Sequence, residues 1–171
     1  SEMCIRDSYY ATPSVADENG FALADAPWPH IFDPFRNAVA GKKVAVIGHF
    51  PFAPKALNQA ADFYMLERSL NDGDYPDSAA EYILPECDYV FITGSAFVNK
   101  TAPRLLELSR ESFNVVLGPS TPLAPVLLED YGVSQVTGMV PTSPLAMFEG
   151  LSGTDAGTTM FDWGHRVELS A

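Results

Sequence analysis

Three nearly unbroken apolar runs, each closed by a glycine, constrain this chain more than any other feature: VAVIG over 44–48, YVFITG over 89–94 and NVVLG over 114–118. A strand with one wet face alternates apolar and polar residues. A strand with no polar beat is buried on both faces, which is the mark of a parallel sheet with helices on either side. Two further runs, Asp62 to Glu67 and Gln135 to Val140, complete a set of five strands. Helical patterns separate them, expected over 55–61, 77–84, 100–110 and 122–131, with Gly132 placed just past the last of these, where a helix favours glycine. Asp77 or Ser78 is expected to cap the second helix, and Ser120 or Thr121 the fourth. A last helix is expected over 143–150, and an edge strand near 159–161 or 166–169. Strand and helix in alternation predict an α/β fold: a Rossmann-like, three-layer α/β/α domain from about residue 41 to 171, with a mostly parallel sheet of five to six strands.

The residues before 41 read differently. Residues 9–40 carry Pro13, Pro27, Pro29 and Pro34 and little periodicity, as a linker or the remnant of a preceding domain does, with one short helix around 32–39. Trp28, Phe32 and Phe35 are expected to pin this arm to the body. The first eight residues, SEMCIRDS, have neither the apolar core nor the basic start of a signal peptide. They read as translated sequencing-adapter sequence of the kind found at the ends of metagenomic gene fragments, which predicts that the chain is the tail of a longer protein.

In parallel sheets ligands bind beyond the carboxyl ends of the strands, so the loops after each strand carry the functional expectation. After the first strand a dinucleotide site would need glycines with free N–H groups. The chain instead has His49-Phe50-Pro51-Phe52, in which proline lacks the N–H and the rings block approach. His49 is thus a candidate metal ligand, proton carrier or ligand-orienting group, set against a plain loop hydrogen bond. Glu67 ends the second strand, where a Rossmann acid would meet a ribose, or else it pairs with Arg68 in solvent. The acidic stretch Asp72, Asp74, Asp77 and Glu81 reads as a solvated turn-forming loop, with a hard-cation site as the sharper alternative. After the third strand, Gly94, Ser95, Asn99 and Lys100 lead into a helix. They form the best anion-binding candidate, against simple capping by Asn99. Ser120 after the fourth strand is left to face the same cleft.

Composition narrows the classes. Apolar residues make up 47% and charged residues 19%, ordinary for a soluble globular protein. A formal charge of −12 argues against a nucleic-acid partner, whose phosphates need Lys and Arg. No apolar run reaches the roughly 18 residues of a membrane span. Without the first eight residues a single cysteine, Cys87, remains, which permits no intrachain disulfide and suits a cytoplasmic location. There is no Cys-x-x-Cys or His-x-x-x-His, and no recognisable Ser-His-Asp order.

The strings KKVAVIGHFPF, LER, GDYPDSAAEYILPECDYVFITGSAFVNKT, VVLGPSTPLAPVLLEDYGV and VTGMV, in that order, resemble the bacterial and archaeal putative heavy-metal chelation domain family over about residues 41–165. The resemblance implies a Rossmann-like C-terminal domain that follows an N-terminal domain similar to the capping domain of enolases, absent here. It implies a site in the crevice between them that handles a metal or a metal complex. Carried across residue by residue, the ligand-binding candidates are His49, Glu67, Gly94, Ser95, Asn99, Lys100 and Ser120, with His49 and Glu67 as the metal ligands and a divalent or heavy-metal ion as the implied cofactor. Two functions stand after this reading: a binding domain for a metal or small-molecule ligand, and an enzyme in which His49 acts as acid or base on a small phosphorylated or carboxylated substrate.

Overall fold

The structure, a computed structural model, describes residues 20–24, 28–141, 143, 145 and 164–171. The adapter-like octet, the early part of the arm, nearly all of the helix expected over 143–150 and the strand alternative at 159–161 lie outside the described residues.

Among the described residues eight strands make one sheet: β1 (Ala22–Leu23), β2 (Lys43–Ile47), β3 (Asp62–Glu67), β4 (Tyr75–Pro76), β5 (Tyr89–Thr93), β6 (Phe113–Leu117), β7 (Gln135–Pro141) and β8 (Gly164–Ser170). They lie in the order β1-β8-β7-β6-β5-β2-β3-β4. All pairs from β4 across to β7 are parallel, whereas β8 runs antiparallel to both β7 and β1. The α/β, mostly parallel Rossmann-like architecture is therefore observed, with eight strands among the described residues against the five to six expected; a strand does form over 166–169, as β8, but it lies between β7 and β1, and β1 is the edge on that side.

The apolar runs resolve into two faces by the period of two that any strand imposes. Val44, Val46, Phe91, Val115 and Leu117 enter one core cluster, and Ala45, Ile47, Val90, Ile92 and Val116 enter the other. Both faces therefore need cover. After β3 the chain crosses back over β2 to form β5. With right-handed crossovers, this puts the β2-to-β3 connection on one face and the later ones on the other. The later helices, Ala80–Ile83, Ser95–Val98, Ala102–Leu108 and Val126–Glu129, bury Ala80, Ala96, Ala102, Leu105, Leu106 and Leu127 in the second cluster.

Among the described residues the first face has only the one-turn helix Ala53–Ala56 from a crossover, which leaves Phe91, Val115 and Leu117 to be covered by something else. The arm covers them. Trp28, Ile31, Phe32, Phe35 and Val39 are buried there, as the sequence implied for the three aromatics. Phe32 is fully buried, its ring 5.2 Å from Phe91 edge-on, 5.5 Å from Phe50 and 5.7 Å from Phe52. Phe35 sits 5.0 Å from Phe91. Pro29 and Pro34 shape this stretch into two 3-10 turns, Trp28–His30 and Asp33–Phe35, in place of the helix expected around 32–39. No helix among the described residues is long and apolar enough to cross a membrane.

The helices are shorter than the sequence patterns suggest, for local reasons. The one expected over 122–131 runs only over Val126–Glu129, because a residue that precedes proline is pushed out of the α region and Pro122 and Pro125 follow Thr121 and Ala124. Thr121 does not cap the helix; it is buried, and its hydroxyl has no hydrogen-bond partner among the described residues. The helix expected over 100–110 begins at Ala102, since Lys100 takes φ 66° and interrupts the ladder. Neither Asp77 nor Ser78 caps the stretch that follows; the residue in the capping place is Pro76.

Truncating Phe32 to alanine removes the ring on which the arm and the 50–52 loop converge. The expected loss is about 3–5 kcal/mol of stability, read from the denaturant midpoint. An unchanged midpoint would show that the arm does not hold this face of the sheet.

Candidate functional site

The crossovers that leave β2 and β5 go to opposite faces, and a crevice opens between the two strand ends, as it does at the switch point of other doubly wound sheets. Here it is an open cleft of about 350 Å³ at the carboxyl ends of β2, β3 and β5. Ile47, Leu66, Phe50 and Ala96 form its apolar part. His49, Glu67, Arg68 and Asp77 line one side, and Thr93, Ser95, Asn99 and Thr101 the other.

Gly48 makes the turn that brings His49 there. Its φ is 104°, a region that favours glycine, and a Cβ would come within 3.1 Å of Thr93 Cβ and 3.3 Å of the Phe50 ring. His49 is held from beneath. Its Nδ1 lies 3.1 Å from Asp74 Oδ2, and the Asp74 side chain is only 3% exposed. The same oxygen accepts the backbone N–H of Asn71 at 3.0 Å and the Asn71 side-chain amide at 3.2 Å. The Asn71 N–H, above all, holds the Asp74 carboxyl below the usual carboxylate range. The Asn71 amide and His49 add to it, and together they outweigh desolvation. The sequence reading placed Asp74 in a solvated acidic loop; its burial under His49 is a finding of the structure. The only local signal was the Asp72-Gly73-Asp74 turn, in which Gly73 adopts φ 90°.

Glu67 lines the cleft, half-buried. Arg68 pairs with Asp77 at 3.3 Å, and no ion pair of Glu67 is found among the described residues. Ser95 lines the opposite wall, with its hydroxyl 3.4 Å from that of Ser120, which stands behind it in the next loop. Asn99 also lines the cleft, but it does not cap the following helix through an orphan N–H at N2 or N3. Its Oδ1 accepts from the Thr101 hydroxyl at 2.6 Å and the Thr101 N–H at 3.1 Å, which closes the turn after Ser95–Val98. Gly94 is packed backbone to backbone against the next loop. A Cβ there would run into the Thr121 N and come within 2.7 Å of the Ser120 carbonyl carbon. Lys100 forms the break between the two helices and is not among the residues that line the cleft.

The structure thus brings His49, Glu67, Ser95 and Asn99 to one cleft, with Gly94 and Ser120 just behind it and Lys100 outside its lining. Arg68, Asp77, Thr93 and Thr101, which belong to the same strand-end loops but were not among the ligand-binding candidates, also line the cleft; they arrive there because β3 and β5 flank β2. Among the described residues Arg68 is the only Lys or Arg in the lining. Cys87 lies before β5, at the opposite end of the sheet. It is buried, its thiol donates to the Ile83 carbonyl at 3.3 Å, and burial pushes its pKa up to about 11. Among the described residues no three His, Cys, Asp or Glu side chains gather in a metal-holding group.

Comparison with known proteins bears on this arrangement. The profile of the DUF364 family, described as "Putative heavy-metal chelation", matches residues 30–167. The fold superimposes on the crystal structure of a DUF364 protein of unknown function from Desulfitobacterium hafniense DCB-2 with a TM-score of 0.83 and 41% identity, over 96% of this chain and 64% of that one. A second DUF364 structure, from Pyrococcus horikoshii, shares the fold at a TM-score of 0.74 and 20% identity, over 99% of this chain and 65% of that one. "Uncharacterized protein MJ0500" of Methanocaldococcus jannaschii is 30% identical over 101 residues, 56% of this chain and 39% of that protein. The chain therefore spans less than two thirds of the length of each of these relatives.

Gly94→Ala forces the β5 and β6 loops apart, because backbone, and not a flexible side-chain end, opposes the new methyl group. The expected cost is about 1–3 kcal/mol, with amide shifts in NMR spectra concentrated over 93–96 and 118–121. Wild-type stability and an unperturbed spectrum in that variant would contradict the close approach.

Proposed function

The chain belongs to the DUF364 family, described as putative heavy-metal chelation, and from that membership we propose that the cleft at the ends of β2, β3 and β5 binds a small metal complex. His49 and Glu67 supply two ligands and the complex's own donors fill the remaining positions. The observation that carries this reading is the convergence of an imidazole and a carboxylate, from two different strand ends, on one 350 Å³ cleft. Two donors fall short of the four that a structural zinc site takes from protein or of the six to eight oxygens of calcium. A ligand that brings donors of its own suits such a site better than a bare ion. Glu67, with no ion pair among the described residues, and the chain's charge of −12 both favour a ligand with positive charge at the metal. Thr93, Ser95 and Asn99 would hydrogen-bond the organic part. Thiolate chelation is not part of the proposal, since the Cys87 thiol is buried and held protonated far from the cleft.

The part of the longer relatives that this chain does not match is proposed to supply the facing wall, in keeping with the enolase-like domain that the family resemblance implies. A cytoplasmic setting accords with the free thiol of Cys87. The second reading, an enzyme with His49 as acid or base on a small anionic substrate, draws on the same His49–Asp74 pair, which has the geometry of an oriented general base. It is the weaker of the two, because among the described residues Arg68 is the lone Lys or Arg of the lining and is already paired with Asp77.

Calorimetric titration with Co2+, and with a Co2+ diamine complex that keeps coordination positions open, tests the proposal. The complex is expected to bind the wild type more tightly than the bare ion. Both His49→Ala and Glu67→Gln are expected to weaken it at least tenfold, about 1.4 kcal/mol. Equal affinity in the wild type and in His49→Ala would overturn the assignment of His49 as a ligand.

A further inference from the structure

We propose that Asp74 is a positioning residue that fixes the His49 imidazole in the tautomer protonated on Nδ1, so that Nε2 carries the lone pair that meets whatever enters the cleft. The inference deepens the reading of the cleft as a metal-complex site and rests on it for the identity of the ligand; the tautomer follows from the hydrogen bonds alone. Asp74 Oδ2 takes three partners: the Asn71 backbone N–H, the Asn71 amide and His49 Nδ1. The first two can only donate. An oxygen that already accepts two N–H groups has no proton to offer a third, so His49 Nδ1 must be the donor. A neutral imidazole has one N–H, which leaves Nε2 bare.

The carboxylate is also preorganised for this task. Its side chain is 3% exposed, and the Asn71–Asp74 turn is closed by the Asp74 N–H on the Asn71 carbonyl at 3.0 Å. Gly73 at φ 90° allows that turn. The His49 side chain, by contrast, is 36% exposed and lines the cleft. Histidine free in water prefers its proton on Nε2, so Asp74 works against the ring's own tendency. A metal or a transferable proton can engage only a nitrogen with a lone pair. Loss of such an orienting carboxylate costs about 10–100-fold in metal affinity in established metal sites.

Long-range 1H–15N NMR of histidine-labelled protein, above the pH at which the ring is charged, reads the tautomer directly. The His49 signals are assigned against His30 and His165 with a His49→Gln variant. The wild type is expected to show Nδ1 protonated and Nε2 bare. Asp74→Ala is expected to move His49 mainly to the Nε2–H form and to weaken Co2+-complex binding about 10–100-fold. In Asp74→Asn the two Asn71 donors are expected to keep the amide oxygen in the place of Oδ2, so that most of the wild-type tautomer is preserved. A wild type with its proton on Nε2, or an unchanged tautomer in Asp74→Ala, would overturn the proposal. If the wild type shows the expected tautomer yet binds no Co2+ complex, the positioning role of Asp74 stands and the metal reading falls.

Discussion

Val44 and Val46 on one side of β2, and Ala45 and Ile47 on the other, are all withdrawn from water, so a sheet built around β2 needs a layer on each face. Supplying those layers sets the rest of the molecule. The chain winds β2 to β3 in one direction and then returns past β2 to lay down β5, β6 and β7 in the other. Right-handed connections then load most of the helices onto one face. The opposite face is closed by the arm from Trp28 to Val39 and by the ring cluster of Phe32, Phe35, Phe50, Phe52 and Phe91. Phe50 and Phe52 thus stand where a nucleotide-binding loop has glycines because they serve this face of the core. The reversal that leaves the face bare also opens the crevice that His49 lines.

The cleft is organised by backbone constraints at its rim. Gly48 turns the chain so that His49 enters the lining, and Gly94 lets the β5 and β6 loops touch. Lys100 breaks the helical run, so that Asn99 and Thr101 close a turn at the cleft edge. The result is a divided lining, with ionisable groups from the ends of β2 and β3 on one side and neutral hydroxyl and amide groups from the end of β5 on the other. That division suits a ligand with an electrophilic centre and a neutral polar portion better than it suits a polyphosphate, which would call for several cations.

Much of the fold was legible because it rests on local signals. Unbroken apolar runs such as 44–47 and 89–93 reported strands covered on both faces, and the turn at Gly132 marked a helix end. Helix lengths were less legible, since Pro122 and Pro125 act on the residues before them while the apolar pattern continues undisturbed through Leu128. At the site, the loop positions of His49, Glu67 and Ser95 could be read from their places after strands. Asp74 could not: its burial depends on how the 68–76 loop folds back beneath His49 across a sequence separation of 25 residues. The pairing of Arg68 with Asp77 in preference to Glu67 is equally a matter of three-dimensional arrangement, and of the two acids that line the cleft it leaves Glu67 without an ion pair among the described residues.

The most direct test of the account is to locate a bound paramagnetic ion by NMR. On addition of a substoichiometric Mn2+ diamine complex that keeps coordination positions open, the account predicts that amide signals broaden first at 48–50, 67–68 and 93–96, around the shared ends of β2, β3 and β5. Broadening centred instead on the carboxylates at the other end of the sheet, Asp62, Glu86 and Asp88, would contradict it.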